Sequence, residues 1–109
     1  MERHGLVKMV KVEVIVGGDD AAIVRDLFTA SGVTGYTGVS GVSGMGHGGR
    51  HEGRLLFNDR DALAMLITVL PEERLDELVG GLRALLEHRS GVLFVTETWV
   101  SRPEYFLGD

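Results

Sequence analysis

The amino-acid sequence predicts an α+β domain of ferredoxin-like βαββαβ order, a sandwich with helices on one face of an antiparallel sheet. Three observations carry this expectation. Val7 to Val16 reads VKMVKVEVIV, and Val10, Val12, Val14 and Val16 alternate against Lys11 and Glu13, the period of a half-buried strand. Leu75, Leu78, Val79, Leu82, Leu85 and Leu86 recur at helical spacing. Segments of the two kinds follow one another as strand, helix, strand, strand, helix, strand within 109 residues, the length of one domain.

Gly17-Gly18 ends the first strand, and Asp19 or Asp20 is placed to cap a helix start. Ile23, Val24, Leu27 and Phe28 then form an apolar helical face, closed by Ser31-Gly32 with Gly32 in the left-handed cap. Val33 to Met45 reads VTGYTGVSGVSGM, so that with Gly32 just before it glycine recurs at 32, 35, 38, 41 and 44. The run is too short and too poor in proline for collagen. Its Val, Thr, Tyr and Ser favour a strand, one whose backbone something approaches closely. Gly44 to Gly53 holds five glycines with His47, Arg50, His51 and Glu52, a composition for a mobile surface loop. Arg54–Phe57 and Ala62–Leu70 read as strand, with a turn or irregularity over 58–61. Pro71 suits the first turn of the second helix, and Glu72 and Glu73 favour the positive end of its dipole. Gly80-Gly81 weakens that helix by about 1 kcal/mol per glycine unless close packing against the sheet compensates. Val92–Val100 forms the last strand, and a tail runs over 101–109. The strands carry apolar residues in both alternation sets, the valines in one and Met9 and Ile15 in the other. Both faces of the sheet therefore need cover, and self-association is the simplest source.

Composition excludes several classes. There is no cysteine, hence no disulfide, thiolate metal site or cysteine nucleophile. The formal net charge is −5, with 11 basic and 16 acidic side chains, which argues against nucleic-acid binding. No apolar run is long enough to insert in a membrane, and no secretory leader pattern opens the sequence, so a cytoplasmic address is expected. The charge is uneven: residues 43–60 carry three arginines against two acids, while 61–89 carry six acids against three bases. An anion would prefer the former, or the neighbourhood of Arg89 and Arg102.

The glycine run is neither a Walker loop nor a dinucleotide fingerprint, since no Gly-Lys-Ser/Thr follows and it lies within a hairpin. Glycine turns can still cradle phosphate on backbone amides. His47 and His51 have a spacing that suits a metal only on a helix, which the glycines disfavour. His88 closes the second helix, where a cation interacts well with the dipole or with a phosphate. Arg89 and Arg102 have the planar fork that suits phosphate. Trp99 and Tyr105 suit an interface. No pairing of carboxylates, or of histidine with serine, stands at a spacing that makes catalysis legible, so no enzyme is expected.

These residues meet a family pattern. Ser31-Gly32-Val33-Thr34-Gly35-Tyr36-Thr37 resembles the Gly-x-Thr-Gly-x-Thr segment of the PII signalling proteins. Val42-Ser43-Gly44-Met45-Gly46-His47 resembles the opening of their T-loop, here about 44–54. Thr68-Val69-Leu70-Pro71 resembles the end of their third strand, and Ser90–Val95 their B-loop entering the fourth. All four occur in order over roughly residues 6–103. The resemblance implies a homotrimer of one PII-like domain over 1–109, with adenine nucleotide bound between subunits. Gly35, Tyr36 and Thr37 fall in the segment approaching adenine and ribose, and Ile15 and Val69 line the base pocket. Gly44, Gly46 and His47 belong to the loop closing on the phosphates, and Gly91 donates from the B-loop. The usual B-loop lysine is replaced by Val92, leaving His88, Arg89 or Arg102 to meet the phosphates.

The chain contains no glutamine, and residues 44–54 contain no tyrosine. The features that serve 2-oxoglutarate sensing and uridylylation in nitrogen regulation are thus missing. The Gly-Tyr-Thr form and short B-loop are more similar to the branch linked to inorganic carbon and carboxysomes. That similarity implies ADP or AMP as ligand, with ATP a further candidate, bicarbonate as second ligand, and a transporter or other carbon-metabolism protein as the T-loop's partner. Two readings compete: a small ferredoxin-like enzyme of the cofactor-free monooxygenase or isomerase type, and a metal-binding trimer resembling the CutA proteins.

Overall fold

A computed structural model describes residues 2–43 and 62–107. The elements in chain order are β1 (Glu2–Arg3), β2 (Leu6–Gly17), α1 (Ala21–Ala30), β3 (Thr37–Val42), β4 (Leu63–Leu70), α2 (Leu75–Leu86), β5 (Gly91–Val100) and α3 (Glu104–Leu107). The expected βαββαβ core is present, extended by a short strand at one end and a helical turn at the other. Every strand pairing is antiparallel. Across the sheet the order is β3-β4-β2-β5, and β1 pairs with the start of β2.

The alternation of β2 explains the layer structure. Val10, Val12, Val14 and Val16 are all buried. They stand in register with Leu70, Thr68, Leu66 and Ala64 of β4, and so define the face that the helices cover. Val24 and Phe28 of α1 and Leu78 and Leu82 of α2 complete the core, with Val33 at its edge. Ile23, expected on the inward face of α1, is 38% exposed, so that face centres instead on Val24 and Phe28. Gly81 has a packing role, but towards α1 rather than the sheet: a Cβ there would come within 2.9 Å of the Leu27 side chain. Gly80 faces open space.

Several boundaries differ from expectation. Asp19 and Asp20 lie in a 3₁₀ turn over Gly18–Asp20 and neither side chain caps a helix. The Asp20 carboxylate turns to Arg89 instead. Pro71 does not enter the first helical turn. It stays extended, and a second 3₁₀ turn, Glu72–Arg74, precedes α2. Among the described residues the glycine-rich strand spans 37–42, while 33–36 runs irregularly beside the core. Within β3, Gly41 adopts φ +73° at a register shift between Ser40 and Val42. Gly32 has φ +88° and closes α1 as expected. The strand expected at 54–57, the turn at 58–61 and the loop at 44–54 lie outside the described residues.

The second face of the sheet carries the row Val39, Met65, Ile15 and Val92, one residue from each strand. Beside it run Thr37, Ile67, Glu13 and Phe94. Val39, Val92 and Phe94 are between 41% and 48% exposed, so this apolar face lacks cover in the single chain.

Phe28 is 1% exposed at the junction of α1 with β4 and α2. Phe28→Ala is expected to cost about 3–5 kcal/mol of stability, read as a lowered urea midpoint at unchanged slope.

Candidate functional site

The Thr34-Gly35-Tyr36-Thr37 segment is fixed by long-range contacts. Thr68 is fully buried among apolar neighbours, and its hydroxyl donates to the Gly35 carbonyl at 2.7 Å. That bond satisfies a polar group that would otherwise be costly to bury, and anchors a segment without regular structure. The Tyr36 ring meets Phe28 edge-on, with centroids 6.1 Å apart, and is otherwise half-exposed. Thr37 begins β3 opposite Ile67 and is exposed. Val69, on the adjacent β4, is 5% exposed. Tyr36 also lines a groove of about 530 Å³ between α1 and the β3–β4 pair, together with Arg25, Val39, Ser40 and Met65.

The close approach expected at the glycine strand occurs at Gly35, and it comes from the chain's own end. The Phe106 carbonyl accepts from the Thr34 amide at 2.6 Å and from the Gly35 amide at 3.2 Å. The Thr34 hydroxyl donates to the same oxygen at 3.3 Å. A Cβ on Gly35 would collide with the Tyr105 carbonyl. The expected tail is therefore a docked helical turn. Arg102, at its base, donates to the Tyr105 hydroxyl at 2.7 Å and lies over the Tyr105 ring.

His88, Arg89 and Gly91 are elsewhere. Gly91 starts β5 opposite Val16, with φ +154°, and a Cβ there would lie 2.7 Å from the Ile15 carbonyl oxygen. The backbone N–H of exposed His88 donates to the Leu85 carbonyl at the end of α2. The Arg89 guanidinium donates to Asp20, whose side chain is 11% exposed against 49% for Arg89. The buried carboxylate thus holds one edge of the arginine fork and leaves the rest towards solvent. Ile15 sits mid-sheet between these regions.

The structure therefore splits the anticipated site residues into two groups. Gly35, Tyr36, Thr37, Val69 and the Arg102 tail lie at the β3–β4 side, and His88, Arg89 and Gly91 at the β5 edge. Three strand spacings separate β3 from β5, about 14 Å. One chain cannot close both groups on a small ligand. Gly44, Gly46 and His47 lie outside the described residues. Among the described residues no three His, Cys, Asp or Glu side chains gather as a metal set; His51, like His47, lies outside them. No helix among them is long and apolar enough to cross a membrane.

Sequence reasoning missed Asp20, Thr68, Tyr105 and Phe106. Thr68 had a signal, as the polar residue within the apolar run Leu63–Leu70. Asp20 and Phe106 had none, because their partners lie far along the chain, whereas Tyr105 stands three residues from its partner Arg102.

The model for the nitrogen regulatory protein P-II family matches residues 9–105. A search of curated proteins finds no match. Among solved structures, the chain is similar to CPII, a nitrogen regulatory PII-like protein from Thiomonas intermedia K12 bound to ADP, AMP and bicarbonate. The identity is 40%, the TM-score 0.77, and the match covers 93% of this chain and 95% of that one. The apo form of CPII matches at 37% identity and TM-score 0.71, covering 87% and 94%. A PII-like signalling protein from Thermus thermophilus shares the fold at 21% identity and TM-score 0.73, over 97% and 99% of the two chains.

Thr68→Val keeps the shape but removes the donor to Gly35. It is expected to destabilise the protein by about 1–3 kcal/mol in urea denaturation. Faster amide hydrogen exchange at Gly35 and Tyr36 than in the parent is the second readout.

Proposed function

This chain belongs to the nitrogen regulatory protein P-II family, whose signalling proteins are non-enzymatic, and we propose that it acts as a homotrimeric, nucleotide-gated regulator of inorganic-carbon uptake or carboxysome function. In this reading ADP or AMP, with ATP a weaker candidate, binds in the cleft between subunits, and bicarbonate is the second ligand. The family match replaces both the cofactor-free enzyme and the CutA-like metal trimer.

The observation that carries the proposal is the division of the site residues between opposite sheet edges. A second copy that sets its β5 edge beside the first copy's β3 edge reunites them. Such a contact is heterologous, and repeated by rotation it closes into a ring. The uncovered row Val39, Met65, Ile15 and Val92 supplies apolar surface for that ring. In the assembled cleft, Gly35 and Thr37 of one subunit approach adenine and ribose, with Ile15 and Val69 against the base. His88, Arg89 and Gly91 of the neighbour meet the phosphates. Arg89 supplies what the missing B-loop lysine supplies elsewhere, with Asp20 fixing its direction. Bicarbonate as second ligand is supported by the CPII structure, which holds ADP, AMP and bicarbonate.

The output lies in the loop at about 44–54. Ordering backbone costs about 1–2 kcal/mol per residue, so a loop of this length needs many ligand contacts to settle. Gly44, Gly46 and His47 would provide them, and the ordered loop then presents itself to a partner such as a membrane transporter. A cytoplasmic address goes with this reading, since adenine nucleotides are its signal.

Calorimetry on protein whose mass by light scattering is that of a trimer tests the proposal. ADP and AMP are expected to bind, more tightly with bicarbonate present. Arg89→Ala is expected to weaken ADP binding by about tenfold or more, the loss typical of one charge-assisted contact. Absence of heat with ADP, AMP and ATP in trimeric protein, with and without bicarbonate, rejects the proposal.

A further inference from the structure

We propose that the C-terminal turn α3 is a built-in competitor for the nucleotide, docked on the Thr34–Gly35 half-site and displaced when ADP binds. This inference rests on the nucleotide reading above and concerns the regulation of the same site.

Three observations converge on it. First, the backbone donors of the signature segment are already engaged. One acceptor, the Phe106 carbonyl, takes the amides of both Thr34 and Gly35 and faces the Thr34 hydroxyl. A ligand acceptor presented to those amides must replace it. Second, the space that glycine leaves open at position 35 is filled by the Tyr105 backbone. A flat base laid against Gly35 from that side and the docked turn exclude one another. Third, docking ties up a cation. Arg102 is bonded to the Tyr105 hydroxyl and stacked on its ring, so its fork is directed along the tail. Release of the turn frees Arg102 as well as Gly35, so one movement opens the base side and returns a phosphate ligand.

The device is suited to reversal. α3 is a single turn of four residues with none buried, and Tyr105 is 61% exposed. A lone turn has little stability of its own. It is held by its carbonyl contact and by the partly buried Phe106, and segments of this kind open well below the global unfolding free energy. Binding that requires an undocked minority is weakened by the fraction undocked. A turn docked about ten times as often as not thus weakens apparent affinity about tenfold.

The experiment compares ADP binding by the full chain and by a chain ending at Pro103, which retains Arg102. Hydrogen exchange is followed at Tyr105 and Phe106 in the full chain. The shortened chain is expected to bind ADP about tenfold more tightly. Saturating ADP is expected to speed exchange of the Tyr105 and Phe106 amides, which now donate to Arg102 and Pro103 carbonyls. Phe106→Gly in the full chain, which removes the anchoring side chain, is expected to reproduce the gain and serves if the shortened chain does not fold. Equal or weaker ADP affinity in the shortened chain or in Phe106→Gly, or unchanged exchange on ADP binding, overturns the competitor while leaving the nucleotide reading intact. No ADP binding by any of the three proteins overturns both.

Discussion

The central position of β2 constrains everything else. Its residues 7–16 pair with β5 on one side, and 10–17 pair with β4 on the other. Its four valines enter the core on one face, while Ile15 contributes to the apolar row on the other. Because side chains alternate with period two, a slip of one residue would turn the valines out and the charged set in, so the register is strongly specified. Once β2 is fixed between β4 and β5, β3 and the start of β5 must occupy opposite edges. The separation of the two candidate ligand groups is thus a consequence of topology. In the proposed intersubunit cleft, the role of a second subunit follows from the hydrophobic pattern of a single strand.

Around this frame a few polar contacts determine where the irregular segments lie. Thr68 hooks the Gly35 carbonyl, Asp20 receives Arg89, and the Phe106 carbonyl caps the amides of Thr34 and Gly35. The first and third join the irregular 34–35 segment to a regular element, and the Asp20–Arg89 pair joins two turns. The Asp20–Arg89 pair is asymmetric, with the acid nearly enclosed and the base half in water. Such a pair contributes more to direction than to stability, because the desolvation of the carboxylate offsets much of the attraction. Its value is to hold Arg89 near the start of β5, where Gly91 packs closely against the Ile15 carbonyl. At the other edge Gly35 serves close approach, and in the single chain the approaching group is the C-terminal turn.

The regular elements are legible because each repeats its own signal. β2, β4, β5 and the leucine face of α2 lie within a residue or so of their expected positions. Departures gather where a residue's local preference competes with a distant partner. Asp20 resembles a helix cap, but a charge-assisted contact with Arg89 outweighs a capping bond to the backbone. Ile23 fits the helical period of its face, yet it stays 38% exposed. The glycine strand is shorter than its composition predicts. Thr and Val favour extended structure wherever they occur, whereas Thr34 and Gly35 find their acceptor in Phe106 rather than in a neighbouring strand. Among the site residues, Gly35 and Gly91 show backbone crowding that only glycine permits, while Arg89 depends on a partner 69 positions away that no spacing reveals.

By itself, then, the order of the residues determined the sandwich, the inward valines, the two helical faces and the uncovered side of the sheet. These are properties of period, set by backbone geometry over a few residues. Only the tertiary structure decided which groups meet. Gly35 is joined to Thr68 across 33 positions, Asp20 to Arg89 across 69 and Thr34 to Phe106 across 72. Contacts at such separations depend on strand register and on which edge each strand takes. Local chemistry does not encode either; both emerge when the core closes.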